Sequence, residues 1–174
     1  MLRRLITFCV KNWPLVALLT SAAMLATAHG FERIGGYAPC YLCLKQREVF
    51  WVAISVSALA LALARFKPNP KITTLFNFLL AAIFLFGAGL AAYHAGAEWK
   101  WWPGPSVCGG GAGGGALQAS DLTALMNGTA KIRPPACDTA AWVFLGLSMA
   151  GWNVLISLKL AGWSLASALE GRKA

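Results

Sequence analysis

The chain has 174 residues, of which 58% are hydrophobic and 12% charged, against roughly 25% charged in soluble domains. With a mean hydropathy of +0.61, this excludes a soluble domain, whose surface must still face water, and equally a disordered, collagen-like or coiled-coil chain. The net charge of +9 does not indicate nucleic acid: the basic residues are scattered in twos and threes between apolar runs, as in cytoplasmic membrane loops, and do not gather on one face.

A bilayer core of about 30 Å takes roughly 20 apolar helical residues. Charge-free runs cover Asn12 to Phe31, Val49 to Ala64, Ile72 to Ala97 and Thr139 to Leu158. They predict an all-α membrane protein, a single bundle of four transmembrane helices over about 12–31, 43–65, 72–95 and 139–160. The first run, with Arg3, Arg4 and Lys11 ahead of it and Ala26-Thr27-Ala28 near its end, also resembles a signal peptide. It is longer than the usual 7–15 residue signal core, so it is expected to stay as a span.

Placing both termini and the second loop on one side puts nine basic residues and Glu170 there, and six basic with five acidic residues on the other. The positive-inside bias makes the termini cytoplasmic. Pro68-Asn69-Pro70 breaks the helix between spans two and three, which form an antiparallel hairpin.

The extracytoplasmic loops are about 32–42 and 96–138. The second opens with Trp99, Trp101 and Trp102, suited to a membrane-interface belt, and continues into the glycine-rich run Gly109 to Gly115. Between Ser120, an N-cap candidate, and Asn127-Gly128, a C-cap candidate, a short amphipathic helix is expected on the membrane surface, with Leu122, Leu125 and Met126 on one face.

Of five cysteines, Cys9 falls inside and Cys40, Cys43, Cys108 and Cys137 fall outside. Four cysteines in an oxidising compartment suggest two disulfides, and nearness in sequence favours Cys40 with Cys43 and Cys108 with Cys137 among three pairings. The C-x-x-C at Cys40 and Cys43 suits dithiol redox exchange, metal ligation or a structural bridge. Closing so short a loop restrains the unfolded chain little, and a zinc site would want further ligands at suitable spacing, so redox is favoured and no metal is expected.

The second charge-free run is only 16 residues. Its helix must therefore begin near Cys43, drawing Lys45 to Glu48 into the interface. For a helix starting at Pro39, 100° per residue puts Cys43 at about 300° and Arg47 at about 340° from Cys40, on one face. A helix N-terminus and a nearby cation both lower a thiol pKa. Arg47 reads either as a snorkelling interface arginine or as an electrostatic partner for a thiolate and a lipid-soluble acceptor, and its angle favours the second. A dithiol at the membrane edge points to quinone as the electron acceptor. A Cys108–Cys137 disulfide would close about 30 residues, worth roughly 3–4 kcal/mol. It reads equally as a loop staple or as an accessible target for an incoming thiolate.

Pro39-Cys40-Tyr41-Leu42-Cys43 with Arg47, the outer cysteine pair, and the stretch from Cys137-Asp138 to Trp152-Asn153 together resemble the disulfide bond formation protein B (DsbB) family over essentially the whole chain. The resemblance implies a cycle. Cys108 takes the attack of a DsbA-like periplasmic thiol oxidase, Cys137 then attacks Cys40, and Cys43 is left as a thiolate. Cys43 would join the ring of ubiquinone or menaquinone as a charge-transfer or covalent partner, with Arg47 polarising it. His94 matches a histidine associated with quinone function in the family; otherwise it is an interface histidine. His29 is a weaker candidate of the same kind, and Cys9 reads as a free thiol. The chain departs from the better-known pattern in its glycine run and in lacking a long polar third loop. Two other readings are a quinone-reducing relative of vitamin K epoxide reductase and a membrane metal-binding or scaffold protein with structural disulfides.

Overall fold

The computed structural model describes residues 8–66, 68–105 and 137–171. Four helices dominate: α1 (Trp13–Arg33), α2 (Tyr41–Phe66), α3 (Pro70–Glu98) and α4 (Met149–Gly171). Each is long and apolar enough to cross a membrane, since even the 21 residues of α1 span about 31 Å at 1.5 Å per residue. The protein is an all-α, multi-pass membrane protein. The amphipathic helix expected over 120–128 and the glycine run lie outside the described residues.

Helix ends follow local chemistry. Asn69 caps α3, its side chain accepting a hydrogen bond from the Lys71 amide at 3.0 Å, with Pro70 in the first turn. The far end of α3 closes as a Schellman motif: Lys100 takes a φ of 62°, its amide bonds the Ala97 carbonyl and the Trp101 amide bonds the Gly96 carbonyl. This folds Trp102 back onto the helix, where it stacks on Tyr93 and donates to the Tyr93 carbonyl at 2.9 Å. Gly96 is required here, because a Cβ would fall 2.1 Å from the Trp102 ring.

The fourth span differs from expectation. The helix expected over 139–160 begins only at Met149 and runs to Gly171. Before it, β1 (Val143–Phe144) and β2 (Leu147–Ser148) form a tight antiparallel hairpin, Val143 facing Ser148 and Phe144 facing Leu147. Leu145 and Gly146 at its tip have φ values of 51° and 79°, the left-handed pair of a type I′ turn. Ser148 then caps α4, its hydroxyl accepting the Gly151 amide at 3.1 Å. Apolarity set the depth of this segment; turn chemistry set its backbone.

Small residues bring the helices together, as is usual in bilayers. Ala17, Ala53, Ala91, Ala95 and Ala161 are buried, and Val49 lies so close to Gly87 that a Cβ there would sit 3.0 Å from it. Trp13 ties α1 to α4, donating to the Ser164 hydroxyl at 2.8 Å and stacking on Trp163. Phe50, Leu80 and Phe84 fill the centre.

Candidate active site

The C-x-x-C motif straddles the start of α2. Cys40 is the N-cap: its carbonyl accepts the Leu44 amide at 3.1 Å and its sulfur accepts the Cys43 amide at 3.3 Å. Cys43 is thus the third helical residue. Two intervening residues bring its sulfur to 2.9 Å from that of Cys40. Both are free thiols, as is Cys9. At Cys40 the amides of the helix start favour the thiolate. Its hydrogen bond to the Cys43 sulfur and its burial push the Cys40 thiol well up, outweighing the amides of Cys43 and Leu42.

Cys137 is disulfide-bonded and 1% exposed, and it packs in one cluster with Cys40 and Leu42 beside Cys43 and Leu90. Cys108 lies outside the described residues. Lys100 holds this end of the chain, its ammonium bonding both the carbonyl and the carboxylate of Asp138 at 2.7 Å. That contact holds the Asp138 carboxyl below its ordinary pKa.

His94, on α3, reaches the dithiol directly: its Nε2 lies 3.6 Å from the Cys40 sulfur. A chain of polar side chains reaches its other ring nitrogen. Ser157 donates to Asn153 Oδ1 at 3.1 Å, Asn153 Nδ2 donates to Gln46 Oε1, and Gln46 Nε2 then meets His94 Nδ1 at 2.8 Å. With the amides so oriented, Nδ1 accepts from Gln46 and Nε2 carries the proton, between the Cys40 sulfur and the Glu98 carboxylate. Gln46, Asn153 and Ser157 are all buried.

Arg47 is held by α1. Its guanidinium pairs with the Glu32 carboxylate and donates to the Ala28 carbonyl at 3.1 Å, both on α1. With Cys43 it lines a cavity of about 360 Å³. Cys43, Gln46, Arg47, His94 and Asn153 line that cavity, and Phe31, Phe50, Trp142 and Phe144 are among its aromatic walls. Trp142 packs on Phe31 and stacks on Phe144, so the hairpin forms one side of the cavity. A mostly apolar, aromatic-walled space with a few polar groups is the usual form of a small-molecule site.

The family model for the disulfide bond formation protein DsbB matches residues 10–167. The chain belongs to the DsbB family. It is 31% identical over 157 residues to disulfide bond formation protein B of Methylococcus capsulatus, covering 87% of this chain and 89% of that one. It is 29% identical to disulfide bond formation protein B 2 of Pseudomonas entomophila, covering 87% and 86%, and 29% identical to the Hahella chejuensis protein B, covering 80% and 82%. No solved structure matches the chain. It is therefore an integral membrane oxidoreductase acting in disulfide formation.

Within this DsbB-family fold, the sulfurs of Cys40 and Cys43 and a ring nitrogen of His94 all lie within 4.8 Å of one another. Two thiolates on one tetrahedral zinc stand about 3.8 Å apart, given Zn–S bonds of about 2.3 Å. The 2.9 Å sulfur separation is tighter than that and suits a dithiol pair. Sequence reasoning missed Gln46, Asn153, Glu32 and Glu98. For Asn153, Glu32 and Glu98 the signal was a polar residue within or at the end of an apolar run, the usual mark of function in a membrane; Gln46, between Lys45 and Arg47, carried none.

Proposed function

We propose that the chain reoxidises a DsbA-like periplasmic dithiol oxidase and passes the electrons to ubiquinone or menaquinone, with both termini cytoplasmic in the bacterial inner membrane. One observation carries this reading: the free Cys40–Cys43 pair lies between the disulfide-bonded Cys137 and the apolar cavity. Electrons can enter on one side and leave on the other.

The partner's thiolate attacks the disulfide of the outer loop at Cys108, breaking Cys108–Cys137 and forming a mixed disulfide; the partner's second thiol resolves it, leaving two reduced cysteines here. Cys137 thiolate attacks Cys40 of the oxidised pair and releases Cys43 as thiolate; Cys108 then restores the outer disulfide, and both protons and electrons now reside on Cys40 and Cys43. Quinone, when bound, accepts two electrons and two protons. The cavity fits such a ring, with aromatic walls on its faces and Arg47, Gln46 and Asn153 as polar groups for its oxygens. His94 Nε2 stands beside Cys40, where its N–H favours the thiolate that closes the disulfide once that thiolate forms.

The test is purification with lipid, a visible spectrum, quinone extraction, and quinone-dependent oxidation of a reduced dithiol partner. Bound quinone and loss of turnover in Cys43→Ala are expected. Absence of quinone together with unchanged turnover in that variant overturns the reading.

A further inference from the structure

Glu98, the last residue of α3, has no part in the scheme above, yet its side chain is only 6% exposed. One carboxylate oxygen accepts the Ser148 hydroxyl; the other lies 3.7 Å from His94 Nε2. The same nitrogen is 3.6 Å from the Cys40 sulfur. With Gln46 Nε2 donating to Nδ1, His94 has one N–H at Nε2 and two acceptors for it. With the dithiol as thiols, that N–H serves a Glu98 carboxylate. With a thiolate formed, two anions would compete for one donor in a buried place, and such an arrangement is unfavourable unless one of them takes a proton.

We propose that Glu98 is the proton acceptor of the dithiol, positioned through His94. An S–H bond of the pair breaks, an O–H bond forms on Glu98, and no electron moves. The His94 N–H is then left to the thiolate. Closing the Cys40–Cys43 disulfide gives two electrons to the quinone acceptor, and the proton on Glu98 with the one still on the dithiol completes hydroquinone. This last part rests on the proposed function; the proton exchange does not.

The charged and titratable groups around Glu98 are few. His94 faces it from its own helix, and Cys43 on α2 lies within its electrostatic reach. Arg47 is already paired with Glu32, Lys100 with Asp138, and the hairpin contributes only the Ser148 hydroxyl. Glu98 is also adjacent in sequence to the exposed Trp99 and Lys100, which gives its proton a short way to the aqueous face.

The experiment follows the alkylation rate of Cys43 against pH in the reduced, quinone-free, full-length protein, read by peptide mass, beside quinone-dependent turnover. In Glu98→Gln the alkylation midpoint is expected at least about one pH unit lower, because a like charge is gone, while turnover falls by at least about tenfold, because the acceptor is gone. Glu98→Asp should keep the wild-type midpoint and part of the turnover. A midpoint in Glu98→Gln that is unchanged or higher overturns the proposal; so does a lower midpoint with faster turnover, which would make Glu98 a mere source of repulsion. Should the Gln variant not fold, Ser148→Ala, which weakens the hold on the carboxylate, must also lower the midpoint, and an unmoved midpoint overturns the idea. Wild-type protein without quinone-dependent turnover refutes the proposed function, and the alkylation profiles still decide Glu98.

Discussion

His94 Nε2 stands 3.6 Å from the sulfur of Cys40, while its Nδ1 meets Gln46 at the end of a hydrogen-bond chain that starts at Ser157 on another helix. The donor sits on α3 and the sulfur at the start of α2, so the reactive pair is assembled by helix packing. A neutral donor on a buried sulfur favours the thiolate over the thiol.

Replacing His94 with Phe should keep the ring in its pocket and remove the donor. Quinone-dependent turnover is expected to fall by about 10²-fold, with wild-type helix content by circular dichroism. Turnover within about twofold of wild type would show that the contact with Cys40 is only structural.

Gln46 and Asn153 should prove coupled. Gln46→Leu orphans the Asn153 amide and His94 Nδ1, at a cost of about 1–2 kcal/mol. Asn153→Leu should cost a similar amount. Once either partner is gone the second loss is smaller, so the double variant should be more stable than the sum of the singles. Denaturant unfolding in mixed micelles measures this, and strict additivity would contradict the chain of bonds described.

Arg47 and Glu32 should separate binding from fold. Arg47→Leu leaves Glu32 without its partner and the cavity without its cation. A rise of about tenfold in KM for added quinone is expected, corresponding to about 1.4 kcal/mol for one charge-assisted hydrogen bond. Glu32→Gln keeps the guanidinium and should change KM by much less. Equal effects of the two substitutions would mean that the ion pair, and not the arginine, matters.

The Lys100–Asp138 tie should give the Cys137 disulfide an acid-sensitive anchor. The Asp138 carboxyl is held below its ordinary value by Lys100, so its contribution to the fold is present above the unfolded carboxylate pKa of about 3.9. It is lost as pH falls from there through the lower folded value. Both side chains are partly exposed, so the contribution is under about 1 kcal/mol. Reduction of the Cys137 disulfide by a phosphine should quicken as pH drops below about 4 in wild type. Asp138→Asn should reduce at the faster rate at every pH.

Much of this protein is legible in its sequence. Four apolar runs and the C-x-x-C with Arg47 specify a four-span bundle with a dithiol at the membrane edge, because length and apolarity are local properties and the cap geometry at Cys40 needs only its own helix. The true start of α4 was harder to read. Phe144-Leu145-Gly146-Leu147 is as apolar as any span, and only the left-handed turn at Leu145 and Gly146 and the cap at Ser148 mark the hairpin.

The sequence by itself determined the class, the spans and the presence of paired thiols. The tertiary structure decided which groups act on them. It paired Arg47 with Glu32, 15 residues away, set Gln46 against Asn153, 107 residues away, and brought His94, with Glu98 behind it, to the Cys40 sulfur. Those contacts join different helices, and their register follows from how small residues let the helices approach. No spacing within a single segment encodes that.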